Sequence, residues 1–236
     1  MIKIVSFKIC PFVQRVTGLL EAKDMPYELE YISLKDKPQW FLDISPTGQV
    51  PMLITESGKA LFESDAIIEY IDEISAPVEA GLTPEERAFD RAWSYQASKH
   101  YLVQCSTMRS GDKDTLTERT EKLGKAFAKA EKQLGSGAFF KGDRLSNVDI
   151  AWLPLLHRAD IIREHTGYDL LSGYPKVQAW QTAVMKTGLA EASVAEDFET
   201  AFTDFYLSDQ TWLGNQGKCQ PGNNSADNAC ASGTCC

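Results

Sequence analysis

The first seventy-odd residues alternate between strand-like and helix-like patterns of hydrophobic positions. Residues 2–7 and 27–34 alternate apolar and polar side chains and are rich in β-branched or aromatic residues. Between them, apolar residues recur at helical spacing. A strand, a helix and a second strand within about thirty residues indicate parallel strands joined by a right-handed crossover. The predicted strands are 2–7, 27–34, 51–55 and 60–62, and the predicted helices are 11–22, 39–44 and one that begins at Ser64.

Strand patterns do not recur after residue 82. Thr83, Pro84 and Glu86 combine a capping residue, a proline at the first helical position and an acidic third position. Ser146 and Asp149 form a second capping box. We expect a long helix to about residue 109, one at about 116–134, one after Ser146, and further helices after residues 175 and 188, with the bundle ending near residue 213.

These patterns predict an α/β thioredoxin-like domain followed by an all-α helical bundle. The predicted boundaries are 1–74 for the first domain, 75–82 for a linker and 83–213 for the bundle. In residues 214–236, Gly, Asn, Ser, Ala and four cysteines replace the apolar periodicity, so we expect a flexible tail.

Charge and composition narrow the class of protein. The chain of 236 residues has a formal net charge of -9, which disfavours nucleic acid or an anionic membrane as a general partner. The sequence contains no apolar run long enough to span a membrane and no pattern of a secretory leader. We therefore expect a cytoplasmic protein, in which a cysteine is more often catalytic, metal-binding or buried than disulfide-bonded.

Cys10 lies between the first predicted strand and the first predicted helix and is followed by Pro11. A lone cysteine is usually structural, but unsatisfied N–H groups and the positive end of the helix dipole lower the pKa of a thiol at a helix start. Cys10, Pro11, Phe12 and Val13 do not form a Cys-x-x-Cys motif. A disulfide formed on Cys10 would need an external thiol to resolve it, which predicts a monothiol mechanism.

Several other residues suggest the chemistry of the ligand. A cis bond between Val50 and Pro51 would leave the Val50 backbone able to pair with an extended peptide-like ligand. Ser64 caps a predicted helix whose amides could hold a carboxylate, and Glu63 could bind an amino group. Lys37 could bind a second carboxylate. Together they describe a short peptide-like thiol with two carboxylates and one amine, and glutathione fits.

The motifs also resemble the cytosolic glutathione transferases, and among them the cysteine-type omega class. The resemblance extends over about residues 1–210, and its motifs are very specific in combination. The matching segments are residues 8–12, 37–41, 48–51, 63–67 and 139–142, followed by the capping box at 146–149.

The resemblance implies a role for each matching residue. Cys10 would be catalytic, in place of the tyrosine or serine of other classes, and Phe12 would pack near the thiol. Lys37 and Val50 would hold the glycyl and cysteinyl parts of glutathione, while Glu63 and Ser64 would hold the γ-glutamyl end. The family also implies a homodimer.

We therefore predict a glutathione-dependent thiol transferase or dehydroascorbate reductase that works through a mixed disulfide between Cys10 and glutathione. Two alternatives remain at this point. One is reductive cleavage of glutathionyl adducts at the same cysteine. The other is a non-enzymatic partner protein on this scaffold, similar to the stringent starvation protein A family. The chloride intracellular channel-like proteins also resemble this fold, but the present sequence has no apolar segment long enough to span a membrane and support that function.

The remaining candidates are a substrate pocket and the tail cysteines. A pocket could be lined by the long helix and Trp180, although aromatic residues at helical spacing more often belong to a core. Its candidate residues on the long helix are Trp93, Gln96, His100 and Tyr101. Cys105 looks structural. The tail cysteines could bind a thiophilic metal, or one of them could form a disulfide with Cys10; they are Cys219, Cys230, Cys235 and Cys236. Their spacing matches no zinc motif, so a disordered extension is favoured and no metal is expected.

Overall fold

A computed structural model describes residues 1–215 of the chain. Its N-terminal half contains a four-stranded sheet with the strand order β2-β1-β3-β4. β1 is parallel to β2, whereas β3 runs antiparallel to both β1 and β4. The elements of this half are β1 (Ile2–Ser6), α1 (Pro11–Ala22), β2 (Tyr27–Tyr31), α2 (Gln39–Ile44), β3 (Met52–Ile54), β4 (Ala60–Phe62) and α3 (Ser64–Glu73).

Helices cover both faces of the sheet because β1 is apolar on both sides. Ile4 and Leu53 pack with the apolar residues of α1 and α3 on one face. On the other face, Val5 and Met52 pack against Phe41 of α2. Burial of large aliphatic and aromatic side chains on both faces is the main stabilising contribution to this half.

The second half is entirely helical within the described residues, and its core is built around α6. The apolar face of α6 is enclosed by α4, α5 and α7. The helices are α4 (Pro84–Met108), α5 (Lys113–Gln133), α6 (Asn147–Thr166), α7 (Pro175–Met185), α8 (Leu189–Ala192), α9 (Phe198–Tyr206) and α10 (Trp212–Asn215).

A buried carboxylate fixes the start of α6. Asp149 is fully buried and accepts hydrogen bonds from the Ser146 backbone N–H at 2.8 Å and the Ser146 hydroxyl at 2.6 Å. It also accepts from the Phe140 N–H at 2.8 Å and the Trp180 indole N–H at 2.6 Å. Burial raises the pKa of the Asp149 carboxyl, and these donors act in the opposite direction. One side chain thus joins the 139–142 turn, α6 and α7.

The two halves pack directly on each other through α1 and α6. Gly18 of α1 permits this approach, because a Cβ at that position would lie 3.2 Å from Leu153 Cδ2. The Thr17 hydroxyl donates to the Ser193 carbonyl at 2.6 Å, which ties α1 to the residue after α8. The first turns of α1 are therefore held from the helical half as well as from the sheet.

The predicted combination of a thioredoxin-like sheet and a helical second half is confirmed. The second strand ends at Tyr31 rather than at residue 34, and α9 was not predicted as a separate helix. Within residues 1–215, no helix is both long and apolar enough to cross a bilayer. Most of the predicted tail, including its four cysteines, lies outside the described residues, and the domain boundaries stay a prediction.

Candidate functional site

Cys10 is the N-cap residue of α1, with φ -73° and ψ 121°, and Pro11 is the first helical residue. The backbone N–H of Cys10 donates to the Phe7 carbonyl at 3.0 Å, and its carbonyl accepts the first helical bond, from the Gln14 N–H at 3.1 Å. The side chain is 6% exposed. The Cys10 thiol thus lies at the positive end of the helix dipole, where a thiolate is stabilised.

Val50 lies next to the sulfur. Cys10 Sγ is 4.0 Å from the Val50 carbonyl oxygen, and the Val50–Pro51 peptide bond is cis. Val50 precedes β3, whose first ladder pair with β1 is Met52 with Val5, so Val50 lies outside the sheet ladder. The position expected to contact a peptide-like ligand is therefore adjacent to the thiol.

The sheet register brings Glu63 and Ser64 to the same edge. Met52 pairs with Phe62, so the residues that follow β4 lie beside those that precede β3. Because β1 also ends at this edge, Cys10, Val50, Glu63 and Ser64 are grouped by the topology. They line one edge of the sheet, as in other α/β proteins that bind ligands there.

Glu63 has a backbone conformation that is unusual for a residue with a side chain, with φ 65° and ψ 114°. Its side chain is exposed at the edge. Non-glycine residues in such regions cost roughly 1–3 kcal/mol and are concentrated at functional sites. The geometry is consistent with a ligand-facing role for Glu63.

Ser64 is the first residue of α3 rather than its cap. The N-cap is Glu63, and no side chain caps this helix. The expectation that Ser64 caps the helix is therefore wrong, because the cap position falls one residue earlier. Its consequence for binding is unaffected, since uncapped N–H groups of α3 remain able to bind an anion. An ion pair between Asp65 and the buried Arg15 ties the start of α3 to α1.

Lys37 is held near the same loop. Its ammonium group donates to the Gly48 carbonyl at 2.7 Å, two residues before Val50. Gly48 has φ 63°, a conformation that favours glycine, and its N–H donates to the Ser45 hydroxyl at 3.0 Å. The loop therefore orients Lys37 towards the segment that carries Val50.

The candidate substrate pocket is only partly supported. Phe12 packs edge-on against Tyr101, with ring centroids 5.0 Å apart, but Tyr101 is fully buried and donates to the Ala151 carbonyl, so it does not line an open pocket. Trp180 is 2% exposed, donates to Asp149 and packs in an aromatic cluster with Trp152, whose ring is tilted relative to its own. Trp93 packs against the same cluster, with its ring centroid 5.0 Å from that of Phe140. The prediction that Trp180 lines a pocket is wrong, since Trp180 belongs to the core. Trp93 is half-buried at the edge of that core, and its role in a pocket stays a prediction.

The ring of His100 has a hydrogen-bond partner on its own helix. The His100 ring nitrogen Nδ1 is 2.6 Å from the Gln96 carbonyl oxygen, one helical turn earlier on α4. This hydrogen bond lies within one helix and satisfies His100 Nδ1 without a substrate. Cys105, one turn after Tyr101, is 6% exposed in the helical core, as expected of a structural cysteine.

A buried polar network beneath Cys10 was missed by the sequence analysis. Gln14 of α1 donates from Nε2 to His157 Nδ1 at 2.8 Å, and its Oε1 accepts from Arg158. Burial lowers the pKa of His157 to about 3, with the Arg158 charge acting in the same direction, so the imidazole is neutral. The sequence signal was that His157 and Arg158 interrupt an otherwise apolar stretch of α6.

Metal-binding geometry is absent from the described part of the chain. Within residues 1–215, no group of three or more His, Cys, Asp or Glu residues is arranged to hold a metal ion.

Comparison with known proteins identifies the family of the chain. Residues 9–74 match the family model of the glutathione S-transferase N-terminal domain, and residues 113–181 match that of the C-terminal domain. The chain is 30% identical over 212 residues to glutathione S-transferase omega-1 of Sus scrofa, which covers 88% of this chain and 86% of that protein.

Two further proteins show the same relationship. The probable cytosolic glutathione S-transferase DHAR1 of Oryza sativa subsp. japonica is 32% identical over 176 residues, covering 74% of this chain and 79% of that protein. The crystal structure of glutathione transferase Omega 3C from Trametes versicolor superimposes with a TM-score of 0.72 at 26% identity, covering 83% of this chain and 89% of that one. The family predicted from the motifs is confirmed: the chain belongs to the glutathione S-transferases.

Proposed function

We propose that this glutathione S-transferase is a thiol transferase that uses glutathione as its co-substrate and forms a mixed disulfide on Cys10. The observation that carries the proposal is the position of Cys10 at the N-terminus of α1 with its sulfur beside the Val50 carbonyl. A tyrosine or serine at this position could stabilise a bound thiolate, but only a cysteine can itself form a disulfide. The similarity to omega and DHAR transferases supports this assignment.

The proposed reaction has two exchange steps. The Cys10 thiolate attacks the glutathionyl sulfur of a disulfide between glutathione and a substrate thiol, and the substrate leaves as its thiolate. A second glutathione thiolate then attacks the glutathionyl sulfur on Cys10. This step releases oxidised glutathione and regenerates the Cys10 thiolate. Dehydroascorbate is a second proposed oxidant, reduced by two electrons at the expense of two molecules of glutathione.

The subsites for glutathione follow from the edge geometry. Val50 would pair with the cysteinyl part through its backbone, and Lys37 would bind the glycyl carboxylate. Glu63 would bind the γ-glutamyl ammonium, while the N–H groups at Ser64 would bind its carboxylate. Phe12 would cover the thiol from the side of α4. Each assignment uses a group that already faces the sheet edge or is held beside it.

The mixed disulfide can be observed directly. We expect that oxidised glutathione adds one glutathionyl group to Cys10 of the full chain and that reduced glutathione removes it. Trypsin releases Cys10 in the peptide 9–15 and Cys105 in the peptide 100–109, so mass spectrometry separates the two thiols. A chain glutathionylated only on other peptides, or a failure to bind a glutathione column, would favour a non-enzymatic partner protein instead.

Glu63→Gln is expected to raise the KM for glutathione about tenfold while kcat changes little. The substitution removes the charge that binds the ammonium group, and a charge-assisted hydrogen bond is worth about 1.5–3 kcal/mol. Initial rates measured against glutathione concentration, together with the thermal midpoint, check this. Glu73→Gln, at the other end of α3, is the matched control and should leave KM unchanged. Equal KM values for Glu63→Gln and the wild type would contradict the assignment.

Assembly and location complete the proposal. We infer a cytoplasmic homodimer, as the resemblance to the family implies. Exposed apolar side chains on the sheet half and on α4 support self-association; they are Phe62, Ile74 and Phe89. Light scattering of the purified chain would measure the oligomeric state.

A further inference from the structure

Arg158 is a fully buried cation without a carboxylate partner in the described part of the chain. It lies on α6 with 0% exposure and is among the largest side chains of the core. None of the ion pairs formed within residues 1–215 includes it. Because an isolated buried charge costs several kcal/mol, such an arginine requires compensation.

The partners of Arg158 in the core are neutral. Nη1 donates to the Pro154 carbonyl at 3.0 Å and to Gln14 Oε1, and Nη2 donates to the Ile9 carbonyl at 3.0 Å. The Phe198 ring lies 5.3 Å from the guanidinium carbon. These contacts engage both terminal nitrogens and one face of the guanidinium, whereas the buried Nε has no hydrogen-bond partner among residues 1–215. None of them supplies a negative charge.

The contacts of Arg158 bracket Cys10 along the chain. Ile9 immediately precedes Cys10, and Gln14 is the residue whose N–H forms the first helical bond to the Cys10 carbonyl. The guanidinium therefore fixes the strand-to-helix turn from both sides. His157 and Ser193 hold the Gln14 amide in place, at 2.8 and 3.3 Å from Nε2.

We propose that Arg158 is a positioning residue for Cys10, and that its buried positive charge stabilises the Cys10 thiolate in addition to the helix dipole. The thiolate provides the negative charge that the guanidinium otherwise lacks. The inference builds on the proposed function in that it concerns the same sulfur. The experiment that tests the role of Arg158 does not use glutathione, so the role of Arg158 and the proposed function can be disproved independently.

Among the described cysteines near the Arg158 guanidinium, Cys10 is the one that lies at a helix N-terminus. Burial lowers the pKa of Arg158. A negative charge on a neighbouring group would raise that pKa again, and the neighbouring groups that can carry one are Cys105, Tyr206, Cys10 and Tyr101. Burial raises the pKa of Tyr101, on α4, so its phenol stays neutral. Arg15, on α1, has Asp65 as its counter-ion. Cys105 lies within α4, whereas Cys10 is at a helix N-terminus, so the two stabilising effects coincide only at Cys10.

The experiment measures the pH dependence of iodoacetamide alkylation for the Cys10 peptide 9–15 and the Cys105 peptide 100–109. We expect Arg158→Met to move the Cys10 midpoint up by about one pH unit, which lowers its alkylation rate below the midpoint about tenfold. Arg163→Met, on the same helix but bonded to Asp160 and Gln181, is the matched control and should leave the midpoint unchanged.

Two further variants separate charge from packing. Arg158→Lys keeps a cation and should recover most of the Cys10 reactivity, whereas Arg158→Gln keeps a donor for Ile9 but no charge and should resemble Arg158→Met. If Arg158→Met does not fold, as judged by circular dichroism, the comparison of the Lys and Gln variants replaces it. Equal Cys10 midpoints in the Lys and Gln variants would overturn the proposal. So would a shift confined to Cys105.

Discussion

Cys10→Ala is expected to reduce the glutathione-dependent reduction of a glutathionylated peptide by about a thousandfold or more. Removal of a nucleophile that forms a covalent intermediate abolishes the pathway rather than weakening one contact. Glutathione should still bind, because the Val50 backbone, Lys37 and the start of α3 are untouched. The loss should therefore appear in kcat and not in the affinity for glutathione.

The measurement is a coupled assay of oxidised glutathione formation together with isothermal titration of glutathione. Cys105→Ala is the matched control: it removes an equally buried thiol from the helical core, and more than half of the activity should remain. A second control replaces the four cysteines of residues 216–236 by alanine, which tests whether a tail thiol substitutes for Cys10. Retention of one tenth of the activity by Cys10→Ala would contradict the mixed-disulfide mechanism.

The residues at the sheet edge could be predicted from the sequence because short local motifs determine where each strand ends and each helix begins. Cys10 follows a strand and precedes a proline at a helix start, and the helix that follows the last strand begins at Ser64. Each of these signals depends on a few adjacent residues. The fold then brings them to one edge, because the order of strands in a thioredoxin-like sheet leaves few alternatives.

Residues whose role depends on distant partners were not predictable in this way. In the sequence, Trp180 cannot be distinguished from other aromatic residues on helices. The structure shows that its indole N–H donates a hydrogen bond to Asp149. Arg158 is separated from Ile9 by 149 positions, and nothing in the local sequence indicates that contact. The N-cap of α3 is Glu63 and not the predicted Ser64. Glu63 adopts a positive φ, which sequence patterns rarely reveal.

Asp149→Ala is expected to lower the free energy of unfolding by about 3–5 kcal/mol, the range for removing one partner of a buried charged network. The substitution leaves the N–H of Phe140, the indole N–H of Trp180 and both donors of Ser146 without their acceptor in the core. Each unsatisfied buried donor costs about 1–3 kcal/mol before relaxation. Asp149→Asn should recover only part of this loss, since its amide keeps one acceptor oxygen but presents an NH2 donor where the second acceptor is needed.

Urea unfolding followed by circular dichroism gives the free energies, with Asp160→Ala as the matched control. Asp160 lies on the same helix and pairs with Arg163 near the surface, so its loss should cost less than about 1 kcal/mol. The hydrogen bonds of Asp149 join it to Phe140, Ser146 and Trp180 and not to the residues beside Cys10, so Cys10 in the folded variant should keep the alkylation profile of the wild type. A difference below 1 kcal/mol between Asp149→Ala and the control would show that water or a shifted side chain replaces the carboxylate. In that case the capping box would not be the element that joins α6, α7 and the 139–142 turn.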